Sequence, residues 1–269
     1  MGKTTGIKWT DHTFNPWIGC TRVSPACDFC YAATSAERKH WVTWGTRQPR
    51  KLVSADTWKN PHRFNRKAEQ AGERRRVFCA SMADVFDAEA PESELPKVWA
   101  LIRETPWLDW QLLTKRPNRI RKVLPPDLHG APNVWLGTSV ESSDQVWRIG
   151  ELLETDAVVH FLSVEPLLGP IPTLPLQDIE WVIVGGESAS TPDRYLVSKS
   201  KAGWEPTATG LAWVRAIRDQ CVTAGVPFFF KQWGGSLSRS GGRTLDGREW
   251  DELPTILIAN KNWPEHPAR

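Results

Sequence analysis

The chain has 269 residues, of which 40% are apolar and 24% charged, and its net charge is +3. That length suits one large single-core domain, and no run of about 18 apolar residues is present to span a bilayer. The opening "MGKTTGIKWTDH" lacks the apolar core of a secretory signal, so a cytoplasmic location is expected and disulfides are not.

The first strand expected is "TFNPWIG" (13–19), a weak one. It leads into "WIGCTRVSPACDFCYAATS", where three of the five cysteines, Cys20, Cys27 and Cys30, fall within eleven residues. A helix is expected over 28–40, and then a break without clear periodicity over 41–72. Short continuous apolar runs follow at "RVFCAS" (76–81), "DWQLLT" (109–114), "NVWLGTS" (133–139), "VVHFLSV" (158–164), "IEWVIVG" (179–185) and "VPFFFKQ" (226–232). Such runs fit parallel strands covered by helices on one side and filling a core on the other. Helices are expected over 92–103, 142–155 and 210–225, the last stopping at Gly225. Strand alternating with helix predicts an α/β fold, a full or partial (β/α) TIM-type barrel with parallel strands, in a single domain over 1–269. Residues 186–209 interrupt the rhythm as an insertion or lid, and 234–269 form a C-terminal extension whose Gly-rich turns suggest a hairpin on the outside.

Charge is unevenly spread. Residues 1–135 carry 22 Lys and Arg against 14 Asp and Glu, and the remainder 12 against 17. The basic excess gathers at "RFNRK" (63–67), "RRR" (74–76) and "KRPNRIRK" (115–122). Such clusters attract phosphate or nucleic acid, or are solvated helix faces, and the sequence leaves both open.

In parallel βα folds the chemistry collects where strands end. Polar residues stand at those ends here: Ser81 and Asp84; Thr114, Lys115 and Arg116; Thr138, Ser139 and Glu141; Ser163 and Glu165; Gly185, Gly186 and Glu187; Lys231 and Gln232. Lys115 and Arg116 suit a carboxylate or phosphate, and Lys231, after a buried strand, is expected to point into the site. These make Lys115 and Lys231 the catalytic candidates. Cys79 and Cys221 read as small buried residues, and His160 as structural.

The clustered cysteines are spaced Cys-x6-Cys-x2-Cys. Thiolates bind zinc and iron–sulfur clusters. Structural zinc wants four ligands, and neither His12 nor His40 completes a familiar spacing. Three ligands on a four-iron cluster leave one iron open to a small chelating molecule. No phosphate-binding P-loop, dinucleotide fingerprint or nucleophile elbow occurs.

"CDFCYA" resembles the end of the radical S-adenosylmethionine motif, with its last two cysteines two apart and an aromatic before the final one. The first interval departs from that motif, with six residues in place of the usual three. The glycine-glycine-glutamate signature expected after the second strand is replaced by "SMAD" (81–84), while "GGES" occurs at 185–188. The resemblance implies a [4Fe-4S] cluster on Cys20, Cys27 and Cys30, with S-adenosyl-L-methionine on the open iron. An external electron donor would reduce it, yielding a 5′-deoxyadenosyl radical. It places Phe29 beside the adenine; Asp84 and Glu165 are candidates for the methionine ammonium or ribose hydroxyls, the other reading of each being a helix cap or a buried ion-pair partner. Ser163, Gly185, Gly186 and Glu187 complete the cofactor-binding set. Over nearly its whole length the chain also resembles a phage-associated family of three-cysteine-motif proteins of unassigned reaction. The carrying segments are "IKWTDHTFNPWIGCTRVSPACDFCYA", "SMADVF", "LLTKRP", "LGTSVE", "FLSVEPLLGPI", "WVIVGGES" and "GVPFFFKQWG". With the basic first half, this makes a nucleotide or nucleic acid the expected substrate class. The alternative is a zinc-stabilised, non-catalytic nucleic-acid-binding protein.

Overall fold

A computed structural model describes residues 5–188, 192–201, 203–237 and 240–255. Seven strands form its main sheet: β1 (His12–Thr13), β2 (Arg75–Cys79), β3 (Leu108–Thr114), β4 (Val134–Ser139), β5 (Val159–Val164), β6 (Trp181–Gly185) and β7 (Phe228–Gln232). They lie side by side in chain order, every neighbouring pair parallel. The helices are α1 (Tyr31–Arg38), α2 (Ala55–Ala71), α3 (Leu95–Glu104), the single turn α4 (Ile120–Val123), α5 (Trp147–Leu153) and α6 (Ala208–Ala224).

Side chains alternate between two faces along each strand. On one face Val77, Leu112, Leu136, Leu162, Val184 and Phe230 join a core that includes Ile102, Ile149 and Ile217 from the helices. On the other, Phe78, Trp135, Phe161, Trp181, Ile183 and Phe229 gather around Trp9. The Trp9 ring lies 4.7 Å from Phe78 and 6.1 Å from Trp181, which in turn lies 6.0 Å from Phe229. Contacts linking strands at opposite sides of the sheet require it to curl. β1 and β7 remain edges, so the result is a partial TIM-type (β/α) barrel. Gly137 on β4 makes room for this floor, since a Cβ there would sit 2.4 Å from the Phe161 ring.

Several boundaries differ from the sequence reading. Only His12–Thr13 joins the main sheet; Trp17–Ile18, expected in the same strand, pairs antiparallel with Lys51–Leu52. The break expected over 41–72 contains α2, a 17-residue helix. Its polar composition and internal Pro61 hide it, although Pro61 and Ala68 are buried and Trp58 and Phe64 pack on the core. Residues 186–209 carry an antiparallel ribbon, Val197–Lys199 with Trp204–Pro206. Past β7, Thr244–Leu245 pairs with Arg248–Glu249 across an Asp246–Gly247 turn, both with positive φ. The chain then lies along the open edge, the Phe230 N–H donating to the Trp250 carbonyl at 2.8 Å. Residues 256–269 of the expected extension, and the first four of the opening segment, lie outside the described residues.

Trp181 is fully buried at the centre of the floor. Trp181→Ala is expected to cost about 3–5 kcal/mol, the range for emptying a large aromatic site. Equilibrium denaturation measures it, and a loss below about 1 kcal/mol would contradict the packed floor.

Candidate functional site

The C-terminal ends of the strands open away from the aromatic floor, and the cysteine loop lies across them. Gly19 sits at φ +121°, a conformation that favours glycine. Its N–H donates to the Met82 carbonyl at 3.0 Å, fixing the loop to the segment after β2. Cys20 follows, Cys27 ends a 3-10 turn (Pro25–Cys27), and Cys30 takes the N-cap position of α1. All three are free and partly buried.

Arg116 is the cation nearest Cys20. Its Nη1 lies 3.7 Å from Cys20 Sγ and donates to Asp84 Oδ2 at 2.8 Å; its Nη2 donates to the Thr21 carbonyl at 2.7 Å and to Thr21 Oγ1. Burial raises the Cys20 thiol well above its ordinary value, Asp84 adds to the rise, and Arg116 opposes it. Asp84, a candidate for the cofactor or for a buried ion pair, makes the ion pair. It accepts from the Phe86 N–H and the Thr114 hydroxyl, each at 2.9 Å, as well as from Arg116. Asp87 accepts from the Thr21 N–H at 2.9 Å and hydroxyl at 2.7 Å, and from the buried Arg50 at 3.1 Å.

Lys115 faces the cysteines. Its Nζ donates to Ser139 Oγ at 3.2 Å and lies 3.7 Å from Glu141 Oε1. Burial lowers its pKa, but the charges of Glu141, Cys27 and Cys30 outweigh burial and leave it raised. Glu141 is itself buried, accepting from Arg148 at 2.8 Å and from the Ser24 hydroxyl at 3.0 Å. Across the mouth, Lys231 donates to Glu165 Oε1. The register of β7 against β6 shifts between Phe230 and Gln232, making Lys231 the extra residue of a bulge, a device that re-aims side chains. Ser163 stands at the end of β5, paired in register with Ser139 and Ile183 and buried.

Gly185 lies over Glu165, where a Cβ would be 3.2 Å from the carboxyl carbon. A Cβ on Gly186 would meet the Trp233 carbonyl at 2.0 Å, so this glycine allows the chains leaving β6 and β7 to touch. Glu187 is buried and accepts from Arg194 at 2.8 Å. Arg194 also donates to the Pro25 carbonyl at 3.1 Å and places its guanidinium 4.8 Å from the half-exposed Phe29 ring. Residues 186–209 thus touch the cysteine loop.

Sequence reasoning passed over Tyr31, Asp87, Arg148 and Arg194. Tyr31 donates its hydroxyl to the Ser81 carbonyl at 2.8 Å, beside Cys30. Only its place directly after the last cysteine hinted at this; Arg148 and Arg194 are brought in by folding. The "RRR" cluster is spent on structural pairs, Arg74 with Asp109, Arg75 with Glu73 and Arg76 with Asp11. His160 bonds the Thr155 carbonyl at 2.8 Å, a structural role as expected.

Among the described residues no three or more His, Cys, Asp or Glu side chains are gathered to hold a metal ion. A zinc ion needs four donors at about 2.0–2.3 Å from one point. In a four-iron cube each thiolate binds its own iron, and donor chemistry is the relevant test. Three free thiols beside Arg116 and Lys115, at the mouth of a parallel half-barrel, fit such a cluster.

A curled parallel half-barrel with a cysteine loop after its first strand defines a radical S-adenosylmethionine-like fold. Solved structures similar to it include several of spore photoproduct lyase. One, a mutant with bound AdoMet and dinucleoside spore photoproduct, has a TM-score of 0.54 at 10% identity, over 82% of this chain and 76% of that one. A second mutant gives 0.53 at 11% identity over 86% and 80%. A complex with dinucleoside spore photoproduct gives 0.50 at 10% over 80% and 74%. The chain itself belongs to the family described as "Protein of unknown function (DUF5131)", whose profile matches residues 4–254. Comparison with curated proteins gives no match.

The Asp87 contacts predict an acid-sensitive loop. Burial raises this carboxyl, but the Arg116 charge and the Thr21 hydrogen bonds prevail and hold it below its ordinary value. A depressed folded pKa contributes stability that is complete above the unfolded value, about 3.9, and is lost as pH falls through the folded one. Asp87→Asn is expected to be less stable than the parent chain at pH 6 and to lose less between pH 4 and 2. Denaturation midpoints of the two chains, diverging rather than converging on acidification, would refute this.

Proposed function

We propose that the chain is a phage-type radical S-adenosylmethionine enzyme acting on a nucleotide or nucleic acid. The observation that carries the reading is the company the cysteines keep. Three free thiols at the sheet's C-terminal edge stand next to Lys115 and Arg116, across the mouth from the Lys231–Glu165 pair. In this reading Cys20, Cys27 and Cys30 hold a [4Fe-4S] cluster, and the cofactor is S-adenosyl-L-methionine. When bound, that pair supplies reductive cleavage of the sulfonium, giving methionine and a 5′-deoxyadenosyl radical, with the electron from an external donor.

The chain's own residues then bind, orient and exclude water. Lys115, whose ammonium is held by Ser139 and Glu141, is set to receive a carboxylate. Lys231 and Glu165 offer a cation and an anion to a zwitterion or to substrate, and Ser163 stands between them and Ser139. Phe29 offers an exposed ring between two cysteines for the adenine. In this reading Gly185 and Gly186 supply further backbone for the cofactor, Glu187 acts beside Phe29 through Arg194, and Asp84 acts through Arg116. The aromatic floor closes the other end of the barrel to water. One domain over 1–269, a lid in 186–209 and a bacterial cytoplasmic location belong to the same proposal. The solved relatives bound to a dinucleoside lend support to a nucleic-acid substrate. No helix among the described residues is long and apolar enough to cross a membrane.

Anaerobic reconstitution tests the reading. A brown protein with about four irons per chain, releasing 5′-deoxyadenosine from S-adenosylmethionine on reduction, is expected, with Cys27→Ala losing both colour and product. A colourless protein holding one zinc would sink it in favour of the non-catalytic binder.

A further inference from the structure

Nine large apolar side chains are prominently exposed among the described residues, and five of them, Val23, Phe29, Tyr31, Trp41 and Leu52, lie within 23–52. Such concentration marks an interaction surface rather than chance exposure. Three of the five are aromatic, with relative exposures of 42% for Phe29, 53% for Tyr31 and 36% for Trp41.

Trp41 is held in place. His40 takes a positive φ of 54° at the end of α1, and the Trp41 N–H donates back to the Ala36 carbonyl at 2.9 Å. Two ammonium groups flank the ring, Lys39 Nζ at 4.4 Å and Lys51 Nζ at 5.7 Å from its centroid. Lys51 belongs to the ribbon paired with Trp17–Ile18, the stretch that runs directly into Cys20. The Trp41 ring and its lysines therefore stand beside the ribbon that leads into the cysteine loop.

Residues 22–51 contain six Lys and Arg against two Asp and Glu. Arg22 and Arg50 are committed to Asp28 and to Asp87 and Glu89. Arg38, Lys39, Arg47 and Lys51 are exposed, and no ion pair among the described residues takes up their side chains. This distinguishes them from Arg74, Arg75 and Arg76, each paired with an acid. Exposed rings interleaved with unneutralised cations match a ligand with planar faces and regular negative charge. A duplex hides its base faces; a single strand presents them.

We infer that the rim formed by Tyr31, Trp41, Lys39 and Lys51 binds single-stranded nucleic acid. Bases stack on the rings, and Lys39 and Lys51 exchange the Trp41 face for phosphates, delivering the strand to the mouth. This deepens the nucleic-acid reading and rests on it, but the binding needs no iron.

The test is fluorescence anisotropy of a 5′-fluorescein-labelled (dT)20 strand with the full chain, before and after anaerobic reconstitution. Trp41→Ala is expected to weaken binding roughly tenfold, with Trp41→Phe retaining most of it. Lys39→Gln with Lys51→Gln is expected to lower the slope of log affinity against log salt by about 1.4, two counterion releases on a single strand. Unchanged melting temperatures show that the variants fold. Wild-type affinity in Trp41→Ala and in the double variant overturns the inference, as does equal affinity for a duplex or no binding at all. Because the assay reads the chain with and without iron, its failure is separate from failure to assemble a cluster.

Discussion

Arg116 is the fixed point of the site. It is buried, with 7% exposure, and so needs acceptors throughout its guanidinium, since a buried charge left unpaired costs several kcal/mol. Those acceptors come from three residues in two places: Asp84 and Asp87 after β2, and Thr21 beside the first cysteine. Satisfying one side chain therefore joins the ends of β2 and β3 to the cysteine loop. Arg50 adds a second cation to Asp87, pairs with Glu89 as well, and accounts for the tight approach at Gly19, where a Cβ would lie 2.9 Å from its Cδ. Moving Cys20 would break this network, so its position is set by electrostatics as much as by the local backbone.

The barrel interior is divided in the same spirit. Below, rings fill the space between strands; above, almost every charge already has a partner, as in Lys231 with Glu165, Lys115 with Ser139 and Glu141, and Arg194 with Glu187. A mouth of matched pairs favours a ligand bearing both an ammonium and a carboxylate, which can substitute for partners on each side without leaving a charge unpaired. A ligand of one sign meets no such balance there. On the rim, Arg38, Lys39, Arg47 and Lys51 enter no ion pair among the described residues, and this is the complementarity to a polyanion on which the proposed strand-binding rim rests.

The strands were legible because their cores are two-sided: apolar runs such as "IEWVIVG" announce a parallel sheet whatever else surrounds them. The strand ends were legible too, as polar residues directly after those runs. α2 was not, because a helix that buries one narrow stripe of Trp58, Pro61, Phe64 and Ala68 under a polar face reads as a break once proline appears in it. Within the site, short-range identity showed the cysteines and Lys115, while the partners that hold them, Arg148 and Arg194, come from distant positions. "GGES" looked like a ligand loop, yet Gly186 is required by the carbonyl of Trp233, a contact between two chain segments that spacing cannot reveal.

The six-residue interval between Cys20 and Cys27 has a structural reason. Thr21 bonds Asp87 and Arg116, Ser24 bonds Glu141, and the Pro25 carbonyl receives Arg194. In turn these reach the loops after β2, β3, β4 and β6. A three-residue interval leaves room for few of these contacts. The added residues are thus a staple across the barrel mouth, holding the first cysteine to the sheet while the 3-10 turn and α1 place the other two. A loop anchored at four strand ends is ordered by the barrel itself, even where the intervening sequence is longer than the motif it resembles.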